Sequence, residues 1–176
     1  EERFLKWALT IQDILLHEYG YRGDHIVSLI GKGKNGTISA SRRQVALQLE
    51  KLAGRVQVGD QLLVVLIGHG TSYGDHAKLN LVGPDITGEE FAAELARFAE
   101  LDLVVVNTTS NSFLFTRALA GPRRVLISAT RSRAEKYDTI FPEIFKASLE
   151  GHDADRDKNN RVSLWESFLY SGARVA

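Results

Sequence analysis

The chain has 176 residues, of which 44% are hydrophobic and 25% are charged, a balance that fits one domain with a substantial core. Its formal net charge is zero, so composition gives no reason to expect a nucleic-acid partner or an anionic membrane partner. Cysteine is absent, which excludes disulfides, thiolate metal sites and a cysteine nucleophile. No apolar run has the length of a membrane span and no signal peptide opens the sequence, which leaves the compartment open, with the periplasm or secretion as alternatives.

Hydrophobic spacing predicts helices that alternate with strands along the chain. In chain order the predicted elements are a helix over 4–15, a strand over 25–30, a glycine-rich loop over 31–36, a helix over 41–56, a strand over 62–67, a short strand over 78–82, a helix over 88–98 behind a Thr-x-x-Glu capping box, a strand over 103–106, a helix over 112–119, a strand over 125–128, and helices over 141–149 and 164–170.

This alternation predicts an α/β fold, a three-layer, doubly wound and mostly parallel sheet in a single domain over residues 1–176. Such folds usually begin with a strand, whereas this pattern begins with a helix. The order therefore leaves open that the first strand of the fold is missing from this chain.

Two apolar runs end in polar residues that can do chemistry. The run 62–67 leads into Gly68, His69 and Gly70, and the run 103–106 leads into a polar stretch that contains Ser110. Unbroken apolar runs of this length are typical of strands covered on both faces, as in parallel sheets, where ligands bind beyond the carboxyl ends. The sequence thus predicts that His69 and Ser110 lie on the same edge of the sheet. The simpler interpretation treats His69 as a polar strand-end residue and Ser110 as a helix N-cap.

The glycine-rich loop matches the letters of a dinucleotide-binding fingerprint at Gly31, Gly33 and Gly36. That motif requires its third glycine in the first turn of a helix and an acidic residue at the end of the next strand. Here residues 37–40 intervene before any helix, and the next strand leads to His69. We therefore favour a flexible loop over a nucleotide site.

An acidic segment over 155–166 has the spacing of a twelve-residue calcium loop. Calcium prefers several hard oxygen ligands in a flexible ring, and the expected ligands are side chains at positions 1, 3, 5 and 12, a carbonyl at position 7 and a water at position 9. These positions are held by Asp155, Asp157, Asn159, Glu166, Arg161 and Ser163 respectively. Position 6 departs from the pattern because Asn160 replaces the usual glycine, although Asn tolerates the left-handed conformation. The alternative is a turn in which Asp157 and Asn159 bond the backbone.

The segment Val65-Leu66-Ile67-Gly68-His69-Gly70 resembles the histidine segment of the caspase, legumain and gingipain superfamily of cysteine peptidases. In that superfamily the next long strand ends in the nucleophile, typically within Ala-Cys-x-Ser-Gly, and residues 103–112 align with it. The resemblance covers most of the chain and is closest to bacterial legumain-like domains. It implies a caspase-like fold, with Ser110 at the position of the nucleophilic cysteine and residues 125–131 leading towards a specificity pocket.

The chain departs from the superfamily at the nucleophile and just after it. Ser110 replaces Cys, and Phe113 stands where a glycine is expected after Ser112. A serine hydroxyl ionises far less readily than a thiol and needs a well-aligned base in the transition state. The resemblance therefore favours a catalytically impaired pseudopeptidase or protein-binding domain, to which the spacing of the acidic loop adds a structural calcium ion.

The alternative is a peptidase or esterase in which Ser110 attacks a carbonyl and His69 serves as acid and base. The backbone amides of Gly70 and Ser110 would then stabilise the oxyanion. In either case the partner is a polypeptide, and Arg131, with Ser128 and Thr130 beside it, is a candidate to bind an acidic or polar side chain through a bidentate contact. Arg131 is equally well explained as a surface arginine, and a nucleotide-dependent enzyme is the least favoured class.

Overall fold

The computed structural model describes residues 2–33, 37–132, 135 and 140–175. The chain divides into two compact units, one comprising residues 1–28 with 140–176 and the other comprising residues 29–139. Among the described residues, every helix is too short or too polar to cross a bilayer. Part of the glycine-rich loop, residues 34–36, lies outside the described residues.

The unit over 29–139 contains a parallel three-stranded sheet flanked by helices, which confirms the α/β class. Its strands are β1 (Gln61–Leu66), β5 (Asp102–Asn107) and β6 (Arg124–Ser128), and β5 lies in the middle. The flanking helices are α2 (Arg42–Ala53), α3 (Gly88–Leu95) and α4 (Ser112–Ala118). The core between them is built from buried side chains such as Leu49, Phe91, Leu95, Val105 and Phe115.

A second, antiparallel sheet follows β1 directly. It consists of β2 (Gly70–Tyr73), β3 (His76–Leu79) and β4 (Ile86–Thr87). The sequence predicts only a loop and one short strand here, because β2 has few apolar residues. Gly74, with a φ of 60°, turns the chain between the two strands, so the predicted polar loop is the tip of a hairpin.

The predicted strand over 25–30 was wrong. Gly23–His25 forms a 3-10 turn, and within this segment only Leu29 makes a β-bridge, with Ile38. Apolar residues favour an extended backbone, but a strand forms only where a neighbour accepts its hydrogen bonds. Helix α2 begins at Arg42, well after the glycine-rich loop, as predicted against the nucleotide fingerprint.

Two of the three predicted helix starts in this unit have a side-chain cap, whereas α4 follows Asn111 without one, so Ser110 is not its N-cap. Ser41 accepts a hydrogen bond from the amide of Gln44 at 3.4 Å. Thr87 accepts one from the amide of Glu90 at 3.1 Å, and the Glu90 carboxylate accepts one from the amide of Thr87 at 2.9 Å. The Thr87 capping box is therefore formed as the sequence predicts.

The unit over 1–28 and 140–176 is helical, with α1 (Glu2–His17), α5 (Phe141–Glu150) and α6 (Leu164–Val175). Helix α5 contacts both α1 and α6. The α5–α6 contact includes a short hydrogen bond between the buried hydroxyls of Ser148 and Ser167. Helix α6 buries the small polar side chains of Ser167 and Ser171 and leaves Trp165 and Phe168 exposed.

Candidate functional site

The carboxyl ends of the three parallel strands share one edge. In the register of the sheet, Leu66 of β1 pairs with Asn107 of β5, and Asn107 pairs with Ser128 of β6. The segments that carry His69 and Ser110 each leave the sheet just beyond these positions. We call this edge, with Gly70, Ser110 and Asn111, the rim.

Ser110 and Gly70 are in direct contact at the rim. The Ser110 Oγ donates a hydrogen bond to the Gly70 carbonyl at 3.0 Å and accepts one from the Gly70 amide at 3.1 Å. The Ser110 residue is only 5% exposed. Because a hydroxyl carries a single proton, that proton is held by the Gly70 carbonyl in this arrangement.

Gly70 is packed too closely for any side chain. A Cβ atom added there would lie 2.1 Å from the carbonyl oxygen of Ser110 and 3.1 Å from the Thr109 Oγ1. Such a distance is far inside van der Waals contact, so the backbones could approach this closely only at a glycine. Close packing against Ser110 therefore explains why the second glycine of the Gly-His-Gly sequence has no side chain.

The Asn111 side chain links Gly70 at the rim to the neighbouring Ser72, and sequence reasoning missed both Asn111 and Ser72. The Asn111 side chain donates from Nδ2 to the Gly70 carbonyl at 3.0 Å, and its Oδ1 accepts from the Ser72 hydroxyl at 2.8 Å. Asn111 has a left-handed backbone with a φ of 53°. An Asn between a strand end and a helix was the available signal, since Asn adopts this conformation more readily than other residues with side chains.

His69 is half-buried and immediately precedes Gly70, so the chain brings it to the same edge as Ser110. Its carbonyl accepts a hydrogen bond from the amide of Asn80 at 3.0 Å, which ties the histidine segment to the end of β3. Gly68, with a φ of 151°, provides the change of direction between β1 and β2.

The three predicted specificity residues differ in what they can offer a ligand. Thr130 is 1% exposed, and its Oγ1 accepts from the amide of Phe113 at 2.9 Å and lies 3.1 Å from the Ser112 Oγ. The Ser128 hydroxyl donates to the Thr130 carbonyl at 2.6 Å. The Thr130 hydroxyl thus joins the segment after β6 to the start of α4, whereas the Ser128 hydroxyl bonds within its own segment.

Arg131 instead reaches solvent. Its side chain is 85% exposed and lies 3.5 Å from the Glu135 carboxylate, which also accepts from the Arg131 amide at 3.0 Å. An exposed pair of this kind is weak, so the guanidinium can exchange Glu135 for another carboxylate at small cost.

The acidic loop gathers three carboxylates. Oxygen atoms of Asp155, Asp157 and Glu166 lie within 4.8 Å of one another. Asn160 adopts a φ of 64°, the left-handed conformation expected where calcium loops have glycine, and its amide donates to the Asp155 carboxylate at 2.8 Å. These oxygens form a set of hard donors that suits a divalent cation.

The Asn159 side chain has its own hydrogen bonds within the loop. Its Oδ1 accepts from the amide of Arg161 at 2.8 Å, and its Nδ2 donates to the Asp157 carboxylate at 3.0 Å. The local turn predicted as the alternative to a calcium loop is thus present together with the carboxylate cluster.

Glu166 is buried and is the most heavily bonded acid of the loop. Hydrogen bonds from the Ser163 amide at 2.8 Å, from the Ser163 hydroxyl at 2.7 Å and from the Arg156 amide at 2.8 Å lower the pKa of Glu166 from 4.5 to about 2. The Glu166 amide lies 3.2 Å from the Ser163 Oγ, which closes a capping box at the start of α6. The Ser-x-x-Glu pattern of Ser163 and Glu166 is a capping-box signal in the sequence, of the same kind as Thr-x-x-Glu at Thr87.

The loop is also tied to α1. The Tyr19 hydroxyl donates to the Val162 carbonyl at 2.8 Å, while the Val162 side chain is buried. Burial is the main reason that the pKa of Tyr19 is raised, and the nearby Glu166 charge adds to it. Loop, α1 and α6 therefore form one connected structure.

Comparison of the chain with models of known protein families, with curated proteins and with solved structures found no match.

Proposed function

We propose that this chain is a caspase/legumain-like domain with impaired catalysis, which acts by binding a polypeptide. The observation that carries the proposal is the pair of hydrogen bonds between Ser110 and Gly70. A serine nucleophile must give its proton to a base during attack, and here that proton is bonded to a backbone carbonyl.

The same contact weakens the hydrolase alternative in a second way. The Gly70 amide, which would have to bind the oxyanion, donates instead to the Ser110 Oγ. An oxyanion site works because its donors are preorganised and free to meet the developing charge. Activity would require both groups to break their mutual contact first.

Arg131 supports a binding role near this edge of the sheet. Its exposed guanidinium is available for a bidentate contact with a carboxylate, and its present partner Glu135 is held weakly. The proposed partner is therefore a polypeptide segment that carries an acidic side chain.

Labelling with a fluorophosphonate probe tests the proposal. We expect no labelling of the wild type, and we expect the variants Ser110→Ala and His69→Ala to give the same blank result. Labelling at Ser110 that disappears in His69→Ala would overturn the proposal in favour of a serine hydrolase.

A gain-of-function experiment tests the family relationship separately. In Ser110→Cys a more acidic and more nucleophilic group occupies the same position, so we expect weak cleavage of a diverse peptide library. The double variant Ser110→Cys/His69→Ala is the matched control and should lose that cleavage. Equal results from the single and double variants would argue against a peptidase origin.

We further propose that the acidic loop binds calcium as a structural ion. The support is the convergence of the Asp155, Asp157 and Glu166 oxygens together with the left-handed backbone at Asn160. The ion would reinforce contacts that already fasten the start of α6, since Glu166 belongs to both the cluster and the Ser163 capping box.

Isothermal titration with calcium separates a metal site from a capped turn. Asp157→Asn removes a charged ligand but leaves the capping box of Ser163 and Glu166 intact. We expect binding heat from the wild type and its loss in Asp157→Asn, with Asp153→Asn, outside the loop, as the control that retains it. Absence of heat from the wild type would mean that the segment is a capped turn alone.

A further inference from the structure

The segment that follows β6 places a buried residue directly before an exposed one. Thr130 is 1% exposed, whereas the side chain of the next residue, Arg131, is 85% exposed. Strand β6 ends at Ser128, which pairs with Asn107 at the carboxyl edge of the sheet. The segment therefore leaves the sheet at the same edge as the rim, and the contacts of Thr130 decide how Arg131 is presented there.

All three polar groups of Thr130 are hydrogen-bonded. Its amide donates to the Ser112 Oγ at 3.0 Å, its Oγ1 accepts from the amide of Phe113 at 2.9 Å, and its carbonyl accepts from the Ser128 hydroxyl at 2.6 Å. Ser112, the first residue of α4, is itself fully buried. Because a buried polar group that loses its partner is costly, these contacts hold Thr130 in one orientation.

The same contacts orient the backbone N–H group of Arg131. The Thr130 carbonyl and the Arg131 N–H belong to one planar peptide unit and point in opposite directions, so the hydroxyl that holds the carbonyl also directs the N–H. The N–H donates to the Glu135 carboxylate at 3.0 Å, and the Arg131 Nε lies 3.5 Å from the other oxygen of that carboxylate. One residue thus meets one carboxylate with a backbone donor and a charged side-chain donor.

The Glu135 contact indicates which ligand these two donors select. A backbone N–H and a guanidinium offer protons only, and an ionised carboxylate offers acceptors only, so the two sides are complementary in charge and in hydrogen bonding. Both side chains of the pair reach solvent, and an exposed ion pair is weak. A second carboxylate can therefore take the place of Glu135.

We propose that Arg131 binds one carboxylate of the partner through its backbone N–H and its guanidinium together, and that Glu135 occupies this place until the partner displaces it. Ser112, Ser128 and Thr130 are then positioning residues, and Glu135 is a competitor within the chain. The inference rests on the proposed binding of an acidic polypeptide segment. It adds a backbone donor that recognises the acid and an internal group that regulates its binding.

Binding to two immobilised peptide libraries tests the role of Glu135. The libraries differ only at one fixed position, which is aspartate in one and asparagine in the other, and the readout is the ratio of the two affinities. We expect the wild type to prefer aspartate and Glu135→Gln to raise this preference about two- to fivefold, because an exposed ion pair no longer competes. Glu143→Gln removes the same charge from an exposed position in α5 and is the matched control, which should keep the wild-type ratio.

Two variants at Ser128 test the positioning of the Arg131 N–H. Ser128→Ala removes the hydroxyl that holds the Thr130 carbonyl, and we expect the preference for aspartate to fall about three- to tenfold. Ser128→Thr keeps a hydroxyl at the same position and should retain the preference. Circular dichroism establishes that each variant is folded, and a ratio of affinities does not change when only the stability of the fold is lowered.

The outcomes separate this inference from the proposed function. If neither the wild type nor Glu135→Gln prefers aspartate to asparagine, the proposed binding of an acidic segment is overturned, and this inference with it. A wild-type preference that Glu135→Gln does not raise, or that Ser128→Ala and Ser128→Thr change equally, would overturn the inference alone.

Discussion

The rim and the acidic loop are both polar segments with motif-like spacing, but they use their polar groups in opposite ways. At the rim, neutral donors and acceptors satisfy one another, and the Ser110 hydroxyl is bonded twice to the backbone of Gly70. In the acidic loop, three carboxylates are collected within 4.8 Å of one another. In the first segment the polar groups are engaged in hydrogen bonds with one another, whereas the second concentrates negative charge that a cation would relieve.

The comparison teaches that residue type and position do not by themselves fix what a side chain can do. Its chemistry also depends on whether its protons and lone pairs already take part in hydrogen bonds within the protein. The Ser110 proton is bonded within the protein, whereas the loop oxygens are held close together by backbone amides that leave their negative charge in place.

The largest effect on stability is expected for Gly70→Ala, which introduces a steric clash at the rim. The new Cβ would lie 2.1 Å from the Ser110 carbonyl oxygen, so the two segments must separate. We expect the free energy of unfolding in urea to fall by about 3 kcal/mol or more. Gly54→Ala, whose Cβ would meet its nearest atom at 3.6 Å, is the control and should change stability little.

The second effect tests the loop as a metal site. At a calcium concentration one hundred times the dissociation constant, the wild type should gain about 2.7 kcal/mol of stability over the protein in a chelator. Glu166→Gln should abolish this gain. Glu90→Gln is the control, because it alters the other capping box, at Thr87, and should keep the full calcium-dependent gain in stability. An equal calcium-dependent gain in the two variants would show that Glu166 has no special role as a metal ligand.

The third effect measures how much the rim depends on the Ser110 hydroxyl. Ser110→Ala leaves the Gly70 amide without its acceptor in a buried place, and we expect a loss of about 1–3 kcal/mol in urea denaturation. Thr116→Val is the control, because the Thr116 hydroxyl is buried without a hydrogen-bond partner among the described residues. If both variants are equally stable, the Ser110–Gly70 contact contributes little.

The smallest effect is a pH dependence of the loop. The pKa of Glu166 is lowered from 4.5 to about 2 in the folded protein, so its hydrogen bonds stabilise the fold fully above about pH 4.5. This stability should be lost as the pH falls from about 4.5 towards 2. Urea denaturation across that range should show a shallower decline for Glu166→Gln, and parallel curves for the two proteins would contradict the assigned role.

Sequence reasoning predicted most helices, the parallel strands and the shared edge, because each rests on local periodicity and on a general rule about strand ends. It failed at β2, which is an antiparallel strand with little apolar character, and at residues 25–30, which are mostly apolar but in which only Leu29 forms a β-bridge. The calcium spacing and the Ser163 capping box are both visible in the sequence, and the structure shows that Glu166 belongs to the carboxylate cluster and to the capping box at once. The resemblance to caspase-like peptidases remains a prediction.

The sequence by itself determined which residues could do chemistry, because residue type fixes whether a side chain can ionise, donate or accept. It also determined that His69 and Ser110 follow strand ends and that three acids recur at loop spacing. Only the tertiary structure decided that Gly70, forty positions away, meets the Ser110 hydroxyl with both of its backbone groups. The physical reason is that hydrogen-bond partners are assigned by contact in three dimensions, and a backbone amide or carbonyl leaves no signature in the identity of its residue.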